Sequence, residues 1–186
     1  MKKIIINLIA FVSIGLAKAQ TVSLEEMAKC SSEPSTCPKA DYIKDINHLL
    51  DKYTGTWKGS YEGKTYVFNF IKREKLKKGL ISEDLLIGRV KIINQQGIVE
   101  FDNFNTPDEK ASWGYGLQKN LRAYTVYFFG GKLSCIDYGL LYLFIKPERP
   151  HQMKILFLPS YDITTQDCSN FKTTIPSGKG FTLTKQ

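Results

Sequence analysis

Gly55 to Ile71 reads G-T-W-K-G-S-Y-E-G-K-T-Y-V-F-N-F-I, and this stretch decides the fold. Glu62-Gly63 has the form of a two-residue hairpin turn, with glycine supplying a positive φ. Such a turn sets Tyr61 opposite Lys64, Gly59 opposite Tyr66, Trp57 opposite Phe68 and Gly55 opposite Phe70. One face is then aromatic, with glycines making room. The other carries Thr56, Lys58, Ser60, Thr65, Val67, Asn69 and Ile71. A slip of one residue would mix the two faces, so the register is strongly specified.

Outward from this hairpin the period of two continues. It predicts strands near 55–61, 64–73, 84–93, 98–104, 112–117, 121–130, 135–146, 152–158 and 180–185. All seven prolines fall outside these spans, as central strands require. Short connections imply an antiparallel meander. A second hairpin turning through Asn94 to Gly97 would pair Ile93 with Ile98, Ile92 with Val99 and Val90 with Phe101. Its reverse face would pair Lys91 with Glu100 and Arg89 with Asp102. Tyr138 to Ile145 and much of Tyr124 to Phe129 are apolar on both faces, which suits a closed barrel partly covered outside. Tyr124, Phe128, Tyr138, Tyr142 and Phe144 are bulky enough to fill such an interior.

Ahead of the strands, Ser23-Leu24-Glu25-Glu26 reads as a capping box opening a short helix. After Pro38, the apolar residues Tyr42, Ile43, Ile46, Leu49, Leu50 and Tyr53 recur at helical spacing. They predict a longer helix that ends at Gly55 and packs on the barrel. Earlier still, Lys2 and Lys3 precede the apolar run Ile4 to Ala17, which is too short to span a bilayer. Ala17-Lys18-Ala19 then matches the small-x-small pattern of signal-peptidase cleavage. The expected organisation is a signal peptide over 1–19, a helical segment over 20–54 and a barrel over 55–186. The expected location is periplasmic or secreted, after cleavage near Ala19. Processing would remove Lys2, Lys3 and Lys18 and no acid, lowering the net charge of +8 by three.

Four cysteines survive that cleavage: Cys30, Cys37, Cys135 and Cys168. An even count in an oxidising compartment suggests two disulfides, with three pairings open. Nearness within one short polar segment favours Cys30 with Cys37, leaving Cys135 with Cys168. No C-x-x-C occurs, and His48 and His151 show no ligand spacing, so no metal or cofactor site is read.

Ile46 to Trp57, I-N-H-L-L-D-K-Y-T-G-T-W, resembles the opening of lipocalins and their calycin relatives, where G-x-W begins the first strand. Ile136-Asp137-Tyr138 is similar to the turn motif of that family. The resemblance implies an up-and-down barrel whose tryptophan, Trp57, packs across the closed end. Neither Arg122 nor Arg149 matches the arginine that covers this tryptophan in the family. Over nearly the whole chain, G-T-W-K-G-S-Y-E-G-K-T-Y, D-L-L-I-G-R-V-K-I-I and G-F-T-L-T-K-Q resemble an exported bacterial family known only as a domain of unknown function. That likeness implies export and a barrel, and no activity.

The fold expected is all-β: an antiparallel up-and-down, lipocalin-like barrel after a short helical segment. No G-x-S-x-G, H-E-x-x-H, P-loop or dinucleotide fingerprint is present, so the chain is read as non-enzymatic. Two functions follow. One is a carrier of a small hydrophobic ligand, with Trp57, Tyr66, Phe68, Phe70, Val90 and Phe101 lining the lumen. The other is a filled barrel that binds a protein or cell-envelope component through its outer surface. The basic run Lys72, Arg73, Lys75, Lys77 and Lys78 reads as a solvated hairpin tip that can contact anionic envelope groups. An exported protein has no reason to meet nucleic acid, and the sequence fixes no oligomeric state. Lumen volume separates the two readings.

Overall fold

A computed structural model describes residues 20–30, 33–164 and 167–186. The export signal expected over 1–19 lies outside the described residues. Eleven strands form one sheet: β1 (Thr21–Ser23), β2 (Tyr42–Lys44), β3 (Gly55–Tyr61), β4 (Lys64–Lys78), β5 (Ile81–Ile93), β6 (Val99–Asp102), β7 (Ser112–Leu117), β8 (Ala123–Phe129), β9 (Tyr138–Ile145), β10 (Gln152–Pro159) and β11 (Phe181–Lys185). Strands β3, β4, β5, β7, β8, β9, β10 and β11 pair in chain order, and β11 returns to β3. The result is a closed antiparallel barrel of eight strands, as the hairpin reading required.

The first hairpin has the predicted register at all seven pairs, from Gly55 with Phe70 to Tyr61 with Lys64. Glu62 and Gly63 both have positive φ, at 48° and 75°, which matches the twist of the flanking strands. The second hairpin departs from expectation. Ile93 faces Val99, but a bulge then sets Ile92 opposite Phe101 and Lys91 opposite Asp102. Asn94 causes the early shift, because its side-chain oxygen accepts the backbone N–H of Gln96 and of Ile98. The charge pairs are therefore redistributed. Lys91 pairs with Asp102 at 2.8 Å, Glu100 with Lys64 at 2.5 Å, and Arg89 with Asp108 at 2.6 Å.

Ahead of the barrel, α1 (Leu24–Cys30) forms as its capping box predicts, with the Glu26 N–H donated to Ser23 Oγ. The second helix expected after Pro38 is absent. Tyr42–Lys44 instead form β2, parallel to β5 through Ser82 and Glu83, followed by turns and a single 3-10 turn at Asp51–Tyr53. Two buried carboxylates explain this. Asp45 accepts the N–H groups of Leu49 and Leu50, which closes a turn where a helix would have continued. Asp84 accepts the Tyr42 hydroxyl and the N–H groups of Asp45 and Lys75, which fixes the segment to the β4–β5 hairpin. Burial, then the Asp84 hydrogen bond, pushes the Tyr42 hydroxyl pKa up to about 12. His48 accordingly sits in a turn at φ 55°, not on a helix face. Ile43, Leu50 and Tyr53 still bury, but Ile46 of the same stripe is exposed, so only part of the stripe packs as expected.

Both disulfides form, Cys30 with Cys37 and Cys135 with Cys168. They fit a chain that matures outside the reducing cytoplasm. Among the described residues, no helix is long and apolar enough to cross a membrane.

Candidate functional site

Period-two alternation sends one row of each strand into the barrel. Trp57, Tyr66, Phe68, Phe70 and Val90 all point into one continuous core and are buried. They meet Tyr124, Val126 and Phe128 of β8, Leu141 and Leu143 of β9, and Met153, Ile155 and Phe157 of β10. Phe68 and Phe70 stack at 5.8 Å, and Phe128 meets Phe157 edge-on at 5.3 Å. What remains between Phe68, Phe70, Val126, Phe128 and Leu141 is a crevice of about 180 Å3, none of it wide enough for a water molecule. Five of the six lumen candidates are thus brought together, and they touch protein on all sides. Phe101 is not among the residues buried in the lumen: it lies half-buried on β6, which is not a barrel stave, packs against the margin of the core and borders an outer pocket beside Trp113 and Phe129.

Trp57 is fully buried on β3. Its Nε1 donates to the Tyr53 carbonyl at 2.8 Å, and Lys185 Nζ stands 5.3 Å above the ring. This is cation–π geometry, and it ties β11 to β3 where the barrel closes.

The basic run occupies the far arm of the β4–β5 hairpin and is mostly neutralised rather than free. Lys72 pairs with Asp45 at 2.8 Å and with Asp51 at 2.9 Å, Arg73 with Asp108, and Lys78 with Glu83. Burial pulls the Lys72 ammonium down, but its hydrogen bonds to Asp45 and Asp51 outweigh that and raise its pKa to about 12. Lys75 lies over the Tyr42 ring, and Lys77 is exposed. The expected solvated tip is largely a set of ion pairs that tie the hairpin to its surroundings.

The outward rows hold what the lumen does not. On β9, Tyr138, Leu140, Tyr142 and Phe144 face out and are half-exposed, alternating with the buried Leu141, Leu143 and Ile145. Tyr142 and Phe144 lie nearly parallel, 6.3 Å apart. On β10, Leu156 faces Tyr142 and Lys154 faces Phe144. A second aromatic row runs through Trp113, Tyr127 and Tyr138, with rings 6.4 Å and 6.3 Å apart. Two depressions flank the β9 row. The larger, about 940 Å3, lies between α1 with its disulfide loop and Leu117, Leu140 and Tyr142. The smaller, about 410 Å3, has Phe144 and Leu156 with Lys146, Arg149 and Lys154. Tyr138, Tyr142 and Phe144, which sequence offered as space-fillers, are therefore surface residues. The signal that distinguishes them is Gly139, which starts the inward row of β9.

Among the described residues, no group of three or more His, Cys, Asp or Glu is placed to hold a metal ion. His48 and His151 are both exposed and lie on separate turns. A family model matches residues 1–179, and its description is a family of unknown function, DUF6705. No curated protein and no solved structure matches.

Proposed function

Since the chain belongs to the DUF6705 family, which brings no activity with it, we propose from geometry a non-enzymatic, exported, lipocalin-like barrel that works through its outer surface. The observation that carries this reading is the packed lumen. A carrier needs an open cavity of several hundred Å3, and the core around Phe68 and Phe128 leaves a crevice too narrow for water. The half-exposed aromatic row of β9 and its flanking depressions supply the alternative surface, suited to a protein or cell-envelope component. Export is supported by the two disulfides together with the Met1–Ala19 pattern.

The test has two arms. Native mass spectrometry of protein purified from its own host should show no co-purifying apolar molecule, and a fluorescent fatty acid should not quench Trp57. The protein should also co-sediment with the envelope fraction, and Tyr142→Ser should weaken that association without lowering the unfolding midpoint. A bound lipid in the purified protein would mean that the lumen opens to a ligand and would overturn the surface reading.

A further inference from the structure

We propose that the smaller depression, at the β9–β10 end of the barrel, is a binding site for an anionic glycan, receiving a carboxylated pyranose. This rests on the outer-surface reading above and names the class of partner.

Three observations carry it. First, Lys146, Arg149 and Lys154 converge on one depression of about 410 Å3. None of the three has a carboxylate partner among the described residues, whereas Lys72, Arg73, Lys78, Arg89 and Lys91 all do. Glu148, the one acid in the connecting turn, is exposed and does not line the depression. Unpaired cations held together without an acid are complementary to an anion. Second, the cations have a hydrophobic wall. Phe144 faces Lys154 across the β9–β10 pair, and Leu156 lies beside it. A pyranose presents a face of C–H groups to such a ring, while a bare phosphate has no apolar surface to place there. Third, Gln152 and Thr182 add neutral donors and acceptors for hydroxyl groups, and Thr182 pairs with Lys154 on β10. Gly180 leaves room for the Lys154 side chain, since a Cβ there would stand 2.5 Å from Lys154 Cε. The volume lies in the range of small-ligand clefts, roughly 300–1,000 Å3.

The site is assembled from elements that pairing brings together. Phe144 ends the outward row of β9, Arg149 rides on the turn, and Lys154 returns on β10. Tyr142, stacked beside Phe144, extends the wall toward the larger groove. A chain of several sugars therefore has a second ring on which to lie.

The experiment is calorimetric titration of the folded protein with trigalacturonate, with maltotriose as the neutral control of equal length. Inorganic phosphate and phosphatidylglycerol vesicles are the two further arms. Trigalacturonate should bind, less tightly as salt rises, and at least about ten-fold more tightly than maltotriose, since charge-assisted hydrogen bonds dominate the difference. Arg149→Gln and Lys154→Gln should each weaken it about ten-fold. Phe144→Leu should weaken it with an unchanged unfolding midpoint, and the distant Lys29→Gln should leave it unaltered. Equal affinity for maltotriose, full binding by the Arg149→Gln and Lys154→Gln variants, or binding to vesicles or phosphate alone would overturn the assignment. If trigalacturonate fails while Tyr142→Ser still reduces envelope association, the glycan assignment falls and the outer-surface reading stands.

Discussion

Tyr124 and Gly114 give the sharpest test of how the barrel closes. Strands β5 and β7 pair at only two positions, Ile87 with Trp113 and Gly88 with Ser112. Just beyond, the buried Leu86 N–H donates to the Tyr124 hydroxyl at 3.3 Å. The ring reaches it by passing over Gly114, where a Cβ would overlap the hydroxyl and stand 2.8 Å from Tyr124 Cζ. Tyr124→Phe leaves the Leu86 N–H without a partner in a buried seam, at a cost of about 1–3 kcal/mol. Gly114→Ala overpacks the same spot, costing about 1–3 kcal/mol, because Tyr124 is fully buried and cannot swing away. The two changes should not add. Removing the hydroxyl removes the worst overlap with the new methyl, so the double variant should be about 1 kcal/mol more stable than the sum of the singles predicts. Urea unfolding followed by tryptophan fluorescence measures all three variants. Additivity within about 0.3 kcal/mol would show that Tyr124 does not occupy the space over Gly114, and the seam would need another explanation.

Three other outcomes follow from the packing and charges. Trp57→Ala should cost about 3–5 kcal/mol and Lys58→Ala, on the exposed face, almost nothing, as read from denaturant midpoints. Replacing Cys135 and Cys168 by serine should lower stability by about 4 kcal/mol, and the shorter Cys30–Cys37 loop by about 2.5 kcal/mol, in the same assay. Hydrogen bonds from Arg73 and then Arg89 hold the Asp108 carboxyl below its usual range. Its stabilising contribution is therefore present above the unfolded pKa and lost as pH falls through the lower, folded one. Acid titration of Asp108→Asn should show a shallower loss of stability than the parent over that window; equal slopes would contradict the arrangement.

The first hairpin was fully legible because turn chemistry and side-chain pattern specify it locally. Glu62-Gly63 dictates a turn type, and the aromatic row dictates a register. The second hairpin was not, because Asn94 shifts the pairing through bonds to its own turn, leaving the alternation of Val99 to Asp102 unchanged in sequence. The missing helix has a longer-range cause. The spacing of Tyr42, Ile43, Ile46, Leu49, Leu50 and Tyr53 is truly helical, but Asp84, 39 residues after Asp45, decides the backbone. No local pattern contains that partner. The candidate site divides the same way. The outward placement of Tyr142 and Phe144 follows from counting by twos from Gly139. The predicted meander sets β10 beside β9, but charge spacing along the chain does not show that Lys146, Arg149 and Lys154 gather on one depression.

One edge of β5 serves three neighbours in succession: β6 at Lys91 to Ile93, β7 at Ile87 and Gly88, and β2 at Ser82 and Glu83. Each of the other barrel junctions lies between two strands that run on together, save the short β11–β3 pair. Protection against amide exchange should therefore be uneven around the circumference. The β8–β9 and β9–β10 ladders, with seven pairs each, will exchange only on global opening, whereas amides at the β5–β7 seam will report a cheaper, partial parting. A barrel of this kind parts first at its two thin seams, and at the β5–β7 seam solvent reaches the sealed interior beside Gly88.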